Sequence, residues 1–211
     1  MDGTLIDSEP YWMAAETALV ESFGGTWSTE QAHSLIGASM PHATTVLQSV
    51  GVELDEAGVN ERLTGEVMHR IATSGVPFRP GARELLIELR EAGIKTALVT
   101  MSMRRLARTV VERIDFPAFD LVLGGDDVDK PKPDPEPYFS AARRLGVDIA
   151  DTVVIEDSVG GVTAAVASGA VSIAAQNIVD VSGLGADVHW HGLGGRTVAD
   201  IVEAYERVRA A

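Results

Sequence analysis

Four short elements of the chain carry residue types that could do chemistry together. They are Asp2-Gly3-Thr4-Leu5 at the start, Thr100 ending the run ALVT, Lys132 in KPKPDPEPY, and Glu156-Asp157-Ser158 ending the run VVIEDS. A phosphoryl group in transfer spreads negative charge over its equatorial oxygens. A site for it needs a cation, a hydroxyl or backbone donors, and a hard metal bridging phosphate to carboxylate. Lys132, Thr100 and Asp157 are those groups. A leaving alkoxide also needs a proton, and a carboxylate held near it, here Asp2, could supply one and later activate water. Each element alone has an ordinary explanation: Asp-Gly is a common turn, a strand-terminal Thr caps, a loop Lys is solvated, and Glu-Asp caps a following helix. Their joint occurrence, each at the end of a predicted strand, favours the chemical reading.

The elements that must position them follow from the hydrophobic pattern. Residues 94–100, 119–124, 151–157 and 170–175 are short, continuous, β-branched apolar runs, which predicts parallel strands buried on both faces. Helical spacing lies between them. Gly93, Gly146 and Gly169 stand where helices end, and Ser102 is placed to cap the helix after Thr100. Alternation of this kind predicts an α/β fold with a doubly wound parallel sheet, whose ligands bind beyond the C-terminal strand ends. Residues 8–78 read differently, as helices only, with Ser28 and Gln31 spaced as a capping box. They form an inserted all-helical unit, leaving 1–7 and 79–211 as the core. The tail from Thr197 reads as a closing helix on the sheet.

Composition narrows the function classes. The chain has 211 residues, 45% of them hydrophobic, so it can bury a substantial core. With 31 acidic against 17 basic residues and a net charge of -14, its field repels nucleic acid and anionic membranes, so neither is expected as a partner. It has no cysteine, so a bound metal must be held by oxygen or imidazole. The absence of a long apolar run or a secretion signal leads to the expectation of a cytoplasmic protein, monomeric or weakly dimeric. His189 and His191 lie in a Gly-rich stretch without a carboxylate motif and are read as loop residues rather than metal ligands.

The four elements together resemble the motifs of the haloacid-dehalogenase superfamily, in particular its helical-cap subgroup of phosphoglycolate phosphatases and β-phosphoglucomutase-like phosphatases. The resemblance covers essentially the whole chain. It implies a Rossmann-like core, a helical cap over 8–78, Mg²⁺ as cofactor and a small phosphorylated metabolite as substrate. It also implies roles. Asp2 matches the general acid/base that lends its backbone carbonyl to the metal, Thr100 the phosphate-binding hydroxyl, and Lys132 the lysine that orients the nucleophile. Glu156 and Asp157 match the metal-binding acidic pair, with Asp157 the direct ligand, and Gly3, Thr4, Thr100 and Ser102 fall at substrate-binding positions. Lys132-Pro133-Asp134-Pro135 followed by Tyr138 fits the family's K-P-x-P and aromatic better than Lys130 does. A cap loop around Gly37-Ala38-Ser39-Met40, with His33 and His42 nearby, is where a lid of this family would meet substrate.

One departure stands out. The family nucleophile is the first Asp of D-x-D, and Met1 occupies the "x", so the nucleophile and the strand before it would lie upstream of Met1. Lacking that strand, two interior strands would keep unpaired backbone groups, each buried one costing about 1–3 kcal/mol. The expectation is that the functional polypeptide extends further at its N-terminus. Asp2 favours phosphate-ester hydrolysis over dehalogenation, because halide leaves without a proton. Nine acidic residues against Arg62 and Arg70 within 8–78 weigh against a phosphomutase holding a sugar bisphosphate. A catalytically silent module that binds Mg²⁺ or phosphate is the reading if Met1 is the true start.

Overall fold

The computed structural model describes residues 1–36, 38 and 40–210, which places Gly37 and Ser39 of the expected cap loop outside the described residues. Two compact units result, Met1–Asp7 with Val76–Ala211, and Ser8–Gly75. The sequence assigned 76–78 to the helical unit. In the structure they belong with the first unit, where the Asp7 amide donates to the Pro77 carbonyl and Ile6 forms an antiparallel bridge with Phe78.

The Ser8–Gly75 unit holds four described helices, α1 (Glu9–Ser22), α2 (Thr29–Ser34), α3 (Met40–Ser49) and α4 (Glu56–Ser74). The predicted capping box forms: the Ser28 hydroxyl accepts from the Gln31 amide and Gln31 Oε1 accepts from the Ser28 amide. Asp55 caps α4 through the Gly58 amide at 2.8 Å. Such caps stabilise a helix by about 1 kcal/mol each. Val20, Leu47, Val59, Leu63, Val67 and Ile71 make the unit's apolar interior.

One charged side chain is buried with them. Glu16 on α1 is 6% exposed, and its Oε2 has no hydrogen-bond partner among the described residues. Burial pushes its carboxyl from 4.5 up to about 7, against the pull of the neighbouring Trp27 indole and with a further push from Glu9. A carboxyl raised in the folded state stabilises below its unfolded pKa, and that contribution is lost as pH rises through the folded value. The window here runs from about pH 4.5 to about pH 7. At roughly 1.4 kcal/mol per unit, reduced for partial access of water, the loss is about 2 kcal/mol. Glu16→Gln should therefore be the more stable protein at pH 8 and should flatten the decline between pH 5 and pH 8. Thermal unfolding of both proteins across that range reads the difference.

The larger unit is α/β, as expected. It runs α5 (Ala82–Glu91), β1 (Ala97–Val99), α6 (Arg104–Glu112), β2 (Leu121–Leu123), α7 (Glu136–Leu145), β3 (Val153–Glu156), α8 (Val159–Ser168), β4 (Val171–Ala175), β5 (Val188–Trp190) and α9 (Val198–Arg209). All strand pairs are parallel: Ala97 faces Leu121, Val153 faces Val171, and Ile173 faces Val188. β4 is buried along its whole length, as its apolar run requires at the centre of three strands. β1 starts later than its sequence pattern, because Thr96 leaves the ladder. Its amide donates to Asp120 Oδ2 and its hydroxyl to the Ala118 carbonyl.

Two features differ from the sequence reading. Residues 188–190 form a strand rather than a loop: Val188 and Trp190 are buried, His189 is exposed, and Arg196 stacks on the Trp190 ring. The alternation is too short to signal a strand alone, and pairing with β4 creates it. The parallel sheet is also divided, β1 with β2 and β3 with β4 and β5, so among the described residues β1 and β3 each lack a partner strand on the side away from β2 and β4.

Candidate active site

The residues singled out from the sequence meet at the C-terminal ends of β1 and β3. Thr100 directly follows β1. It is 4% exposed, its amide donates to the Leu123 carbonyl, and its hydroxyl accepts from the Ser102 amide at 3.1 Å. That local turn aims Ser102 at the chain start, where its hydroxyl donates to Asp2 Oδ2 at 2.7 Å. The sequence cast Ser102 as a helix cap. Instead α6 begins after Met103, and the Ser102 hydroxyl is committed to Asp2.

Lys132 reaches the same place from the loop before α7. Its Nζ donates to the Val99 carbonyl at 3.0 Å and forms an ion pair with Glu156 Oε1, both side chains being more than nine-tenths buried. The Tyr138 hydroxyl donates to the same oxygen at 2.6 Å, and Lys132 Nζ stands 4.9 Å from the Tyr138 ring centre. Burial opposes ionisation of Glu156, yet Lys132 above all, with the Met1 amino group and Tyr138, holds its carboxyl below the usual range. Burial, with Glu156 beside it, drives the Tyr138 phenol well above its ordinary value. Lys130 is exposed, and its backbone amide meets Glu136.

Asp157 closes the group. Its Oδ1 accepts from the Thr4 hydroxyl at 2.7 Å, and its Oδ2 lies against Gly3 so closely that a Cβ there would be 2.0 Å away. Gly3 also has φ +75°, so it is the residue that lets the Asp2-Gly3 backbone touch Asp157. Burial raises the Asp157 carboxyl above its usual range, and the Thr4 hydroxyl and the Met1 amino group only partly offset this. A buried carboxylate in that condition gains from an added cation.

Among the described residues, no three His, Cys, Asp or Glu side chains converge as a metal cage. Mg²⁺ does not require one, since one or two carboxylates hold it while water and substrate phosphate complete its shell. Asp157 beside the Asp2-Gly3 backbone fits that demand. Glu156, expected to share the metal, has Oε1 engaged by Lys132 and Tyr138, and its Oε2 packs on Gly161, where a Cβ would lie 2.0 Å away.

A family model described as haloacid dehalogenase-like hydrolase matches residues 1–175. The chain belongs to the haloacid dehalogenase-like hydrolases. Within that family it is similar to a phosphorylated carbohydrates phosphatase of Thermotoga maritima, 32% identical over 171 residues, covering 80% of this chain and 79% of the relative. It is also similar to a phosphoglycolate phosphatase of Pseudomonas syringae pv. tomato, 30% identical over 182 residues, covering 82% of this chain and 66% of the relative. The crystal structure of β-phosphoglucomutase from Clostridium difficile superposes with a TM-score of 0.79 over 100% of this chain and 96% of that one. At 22% identity that likeness speaks to the fold alone.

Two participants escaped the sequence reading of this hydrolase. Tyr138 was used only to set the register of the lysine loop, and a Phe would have served that purpose equally; the hydroxyl is what reaches Glu156. Asn177, just beyond β4, brings its amide nitrogen to 3.2 Å from where a Gly3 Cβ would stand. Nothing in its sequence context signals that placement.

Proposed function

We propose that this protein hydrolyses small-molecule phosphate monoesters with Mg²⁺ as cofactor, through an aspartyl-phosphate whose nucleophilic Asp lies just upstream of Met1. The observation that carries the reading is the meeting of Asp2, Thr100, Lys132 and Asp157 at the C-terminal ends of β1 and β3, with Ser102 holding Asp2 in place. When bound, Mg²⁺ neutralises phosphate charge, and Asp157 with the Asp2 backbone would hold it. Lys132 adds the second positive charge, and its anchorage to Val99 and Glu156 fixes it before substrate arrives. The Thr100 hydroxyl, which accepts from the Ser102 amide, would donate to a phosphate oxygen. Asp2 gives its proton to the leaving ester oxygen and then takes one from the water that attacks the phosphorylated Asp. The relatives named for phosphorylated carbohydrates and phosphoglycolate support small phosphorylated metabolites as the substrate class.

A phosphomutase would need cations for a second phosphate, and the 8–78 segment offers two arginines against nine acidic residues. The test is phosphate release by the polypeptide carrying its upstream residues, on p-nitrophenyl phosphate and a panel of sugar phosphates, phosphoglycolate and nucleotides. Turnover that stops on removal of Mg²⁺ by EDTA and returns on its addition is expected. Absence of phosphate release from every substrate with Mg²⁺ present would leave a silent binding module.

A further inference from the structure

Beyond the end of β4, Asn177 brings a carboxamide to the side of Asp157 that Thr4 leaves open. β3 and β4 run parallel with Glu156 opposite Ala174, so the residues that follow the two strands emerge side by side. The Gln176 amide still donates to the Trp190 carbonyl, and Asn177 is the next residue along. Its amide nitrogen and Asp157 Oδ2 crowd one point, the place of a Cβ on Gly3, at 3.2 Å and 2.0 Å. The Asn177 side chain is half-buried, and among the described residues it makes no hydrogen bond. A carboxamide carries two N–H donors and a carbonyl acceptor, and leaving all of them idle at a partly closed site is unfavourable. The two neighbouring acids differ in what holds them. Glu156 Oε1 is gripped by Lys132 and Tyr138, whereas the Thr4 hydroxyl reaches only Oδ1 of Asp157.

We propose that Asn177 is a positioning residue for the divalent cation: with the ion in place its Nδ2 donates to Asp157 Oδ2, so that Thr4 and Asn177 together fix the plane of the carboxylate. The inference rests on the reading of Asp157 as the residue that would hold Mg²⁺. So small a cation demands near-ideal octahedral geometry, and a carboxylate tethered at one oxygen can still swing about that contact. A donor beside the second oxygen removes this freedom. Groups that orient a metal-holding side chain in this way contribute about 10- to 100-fold to metal affinity without touching the metal. Asn suits the task where Lys or Arg would not, because its donor is neutral and leaves the charge of Asp157 for the ion. Gly3 makes the arrangement possible, since a Cβ there would stand against both atoms.

The test reads the metal without the reaction. Mn²⁺, a hard cation that also prefers oxygen ligands, is titrated into the polypeptide used for phosphate release and followed by electron paramagnetic resonance. Asn177→Ala should weaken Mn²⁺ binding by about 10- to 100-fold, and Asn177→Leu, which keeps the bulk and loses the amide, should match it. Without metal, the melting temperatures of the variants and the unsubstituted protein should agree within about 2 °C. Phosphate release should need correspondingly more Mg²⁺, with kcat largely recovered at saturation. Ile178→Ala, next in the same loop and 55% exposed, should leave Mn²⁺ affinity unchanged. Mn²⁺ affinity in both Asn177 variants within about twofold of the unsubstituted protein overturns the inference and leaves the Mg²⁺ reading standing. So does a weakened affinity that comes with an equal loss in Ile178→Ala or with a lower metal-free melting temperature, which would mark a structural role for the loop. Absence of Mn²⁺ binding by the unsubstituted protein would remove the Mg²⁺ reading itself, and this inference with it.

Discussion

Lys132→Ala is expected to lower stability by about 3–5 kcal/mol and to abolish phosphate release, whereas Lys130→Ala should leave both within experimental error. The two lysines lie two residues apart in one loop, yet their surroundings differ completely. Lys132 is paired with Glu156 in the interior, and Glu156 also accepts from Tyr138. Truncating the lysine strands a buried carboxylate, the costly way to break such a pair; removing both charges together is far milder. Lys132→Met with Glu156→Gln should thus recover much of the stability while remaining inactive, because the positive charge at the Val99 carbonyl is still missing. The pH dependence supplies a second reading. Glu156 is held below its usual 4.5 in the folded protein, so its contribution is present above that value and is lost as pH falls through the lowered one. Urea unfolding of the wild type should show this loss on the acid side, and the double variant should not. If Lys130→Ala were the inactive one, the assignment of the loop would be wrong.

How far the site was legible in the sequence depends on what fixes each residue. The positions of Thr100, Glu156 and Asp157 at the ends of β1 and β3 were legible because a continuous β-branched run has a visible end. Gly3 was legible as a turn, though not as the close approach that admits Asp157, since the clash of a Cβ with Oδ2 exists only in three dimensions. Ser102 was assigned to a helix start by its type, but hydrogen bonding to Asp2, 100 residues away, outweighed local capping. The burial of Glu16 was not legible, because a single carboxylate in a helical repeat carries no mark of burial. β5 was missed for the same kind of reason: its strand character comes from the neighbouring β4 and not from Val188-His189-Trp190 itself.

Asp2→Asn, made in the polypeptide that carries its upstream residues, should reduce turnover of alkyl phosphates by about 10²- to 10⁴-fold, equivalent to roughly 3–5 kcal/mol in the barrier. Asn is nearly the same shape and can still accept from the Ser102 hydroxyl, so the fold and the Thr100–Ser102 turn should persist. What the amide cannot do is give a proton to the departing oxygen. That need scales with the leaving group: an alkoxide is a strong base and leaves poorly unprotonated, whereas p-nitrophenolate leaves readily without help. The loss should therefore shrink to within about tenfold for p-nitrophenyl phosphate if formation of the phosphorylated Asp limits the rate. Rates measured across a series of phosphate esters of graded leaving-group basicity would show a much steeper dependence in the variant than in the wild type. An equal loss for every ester would mean that Asp2 serves the water attack or the metal, and not the departing oxygen.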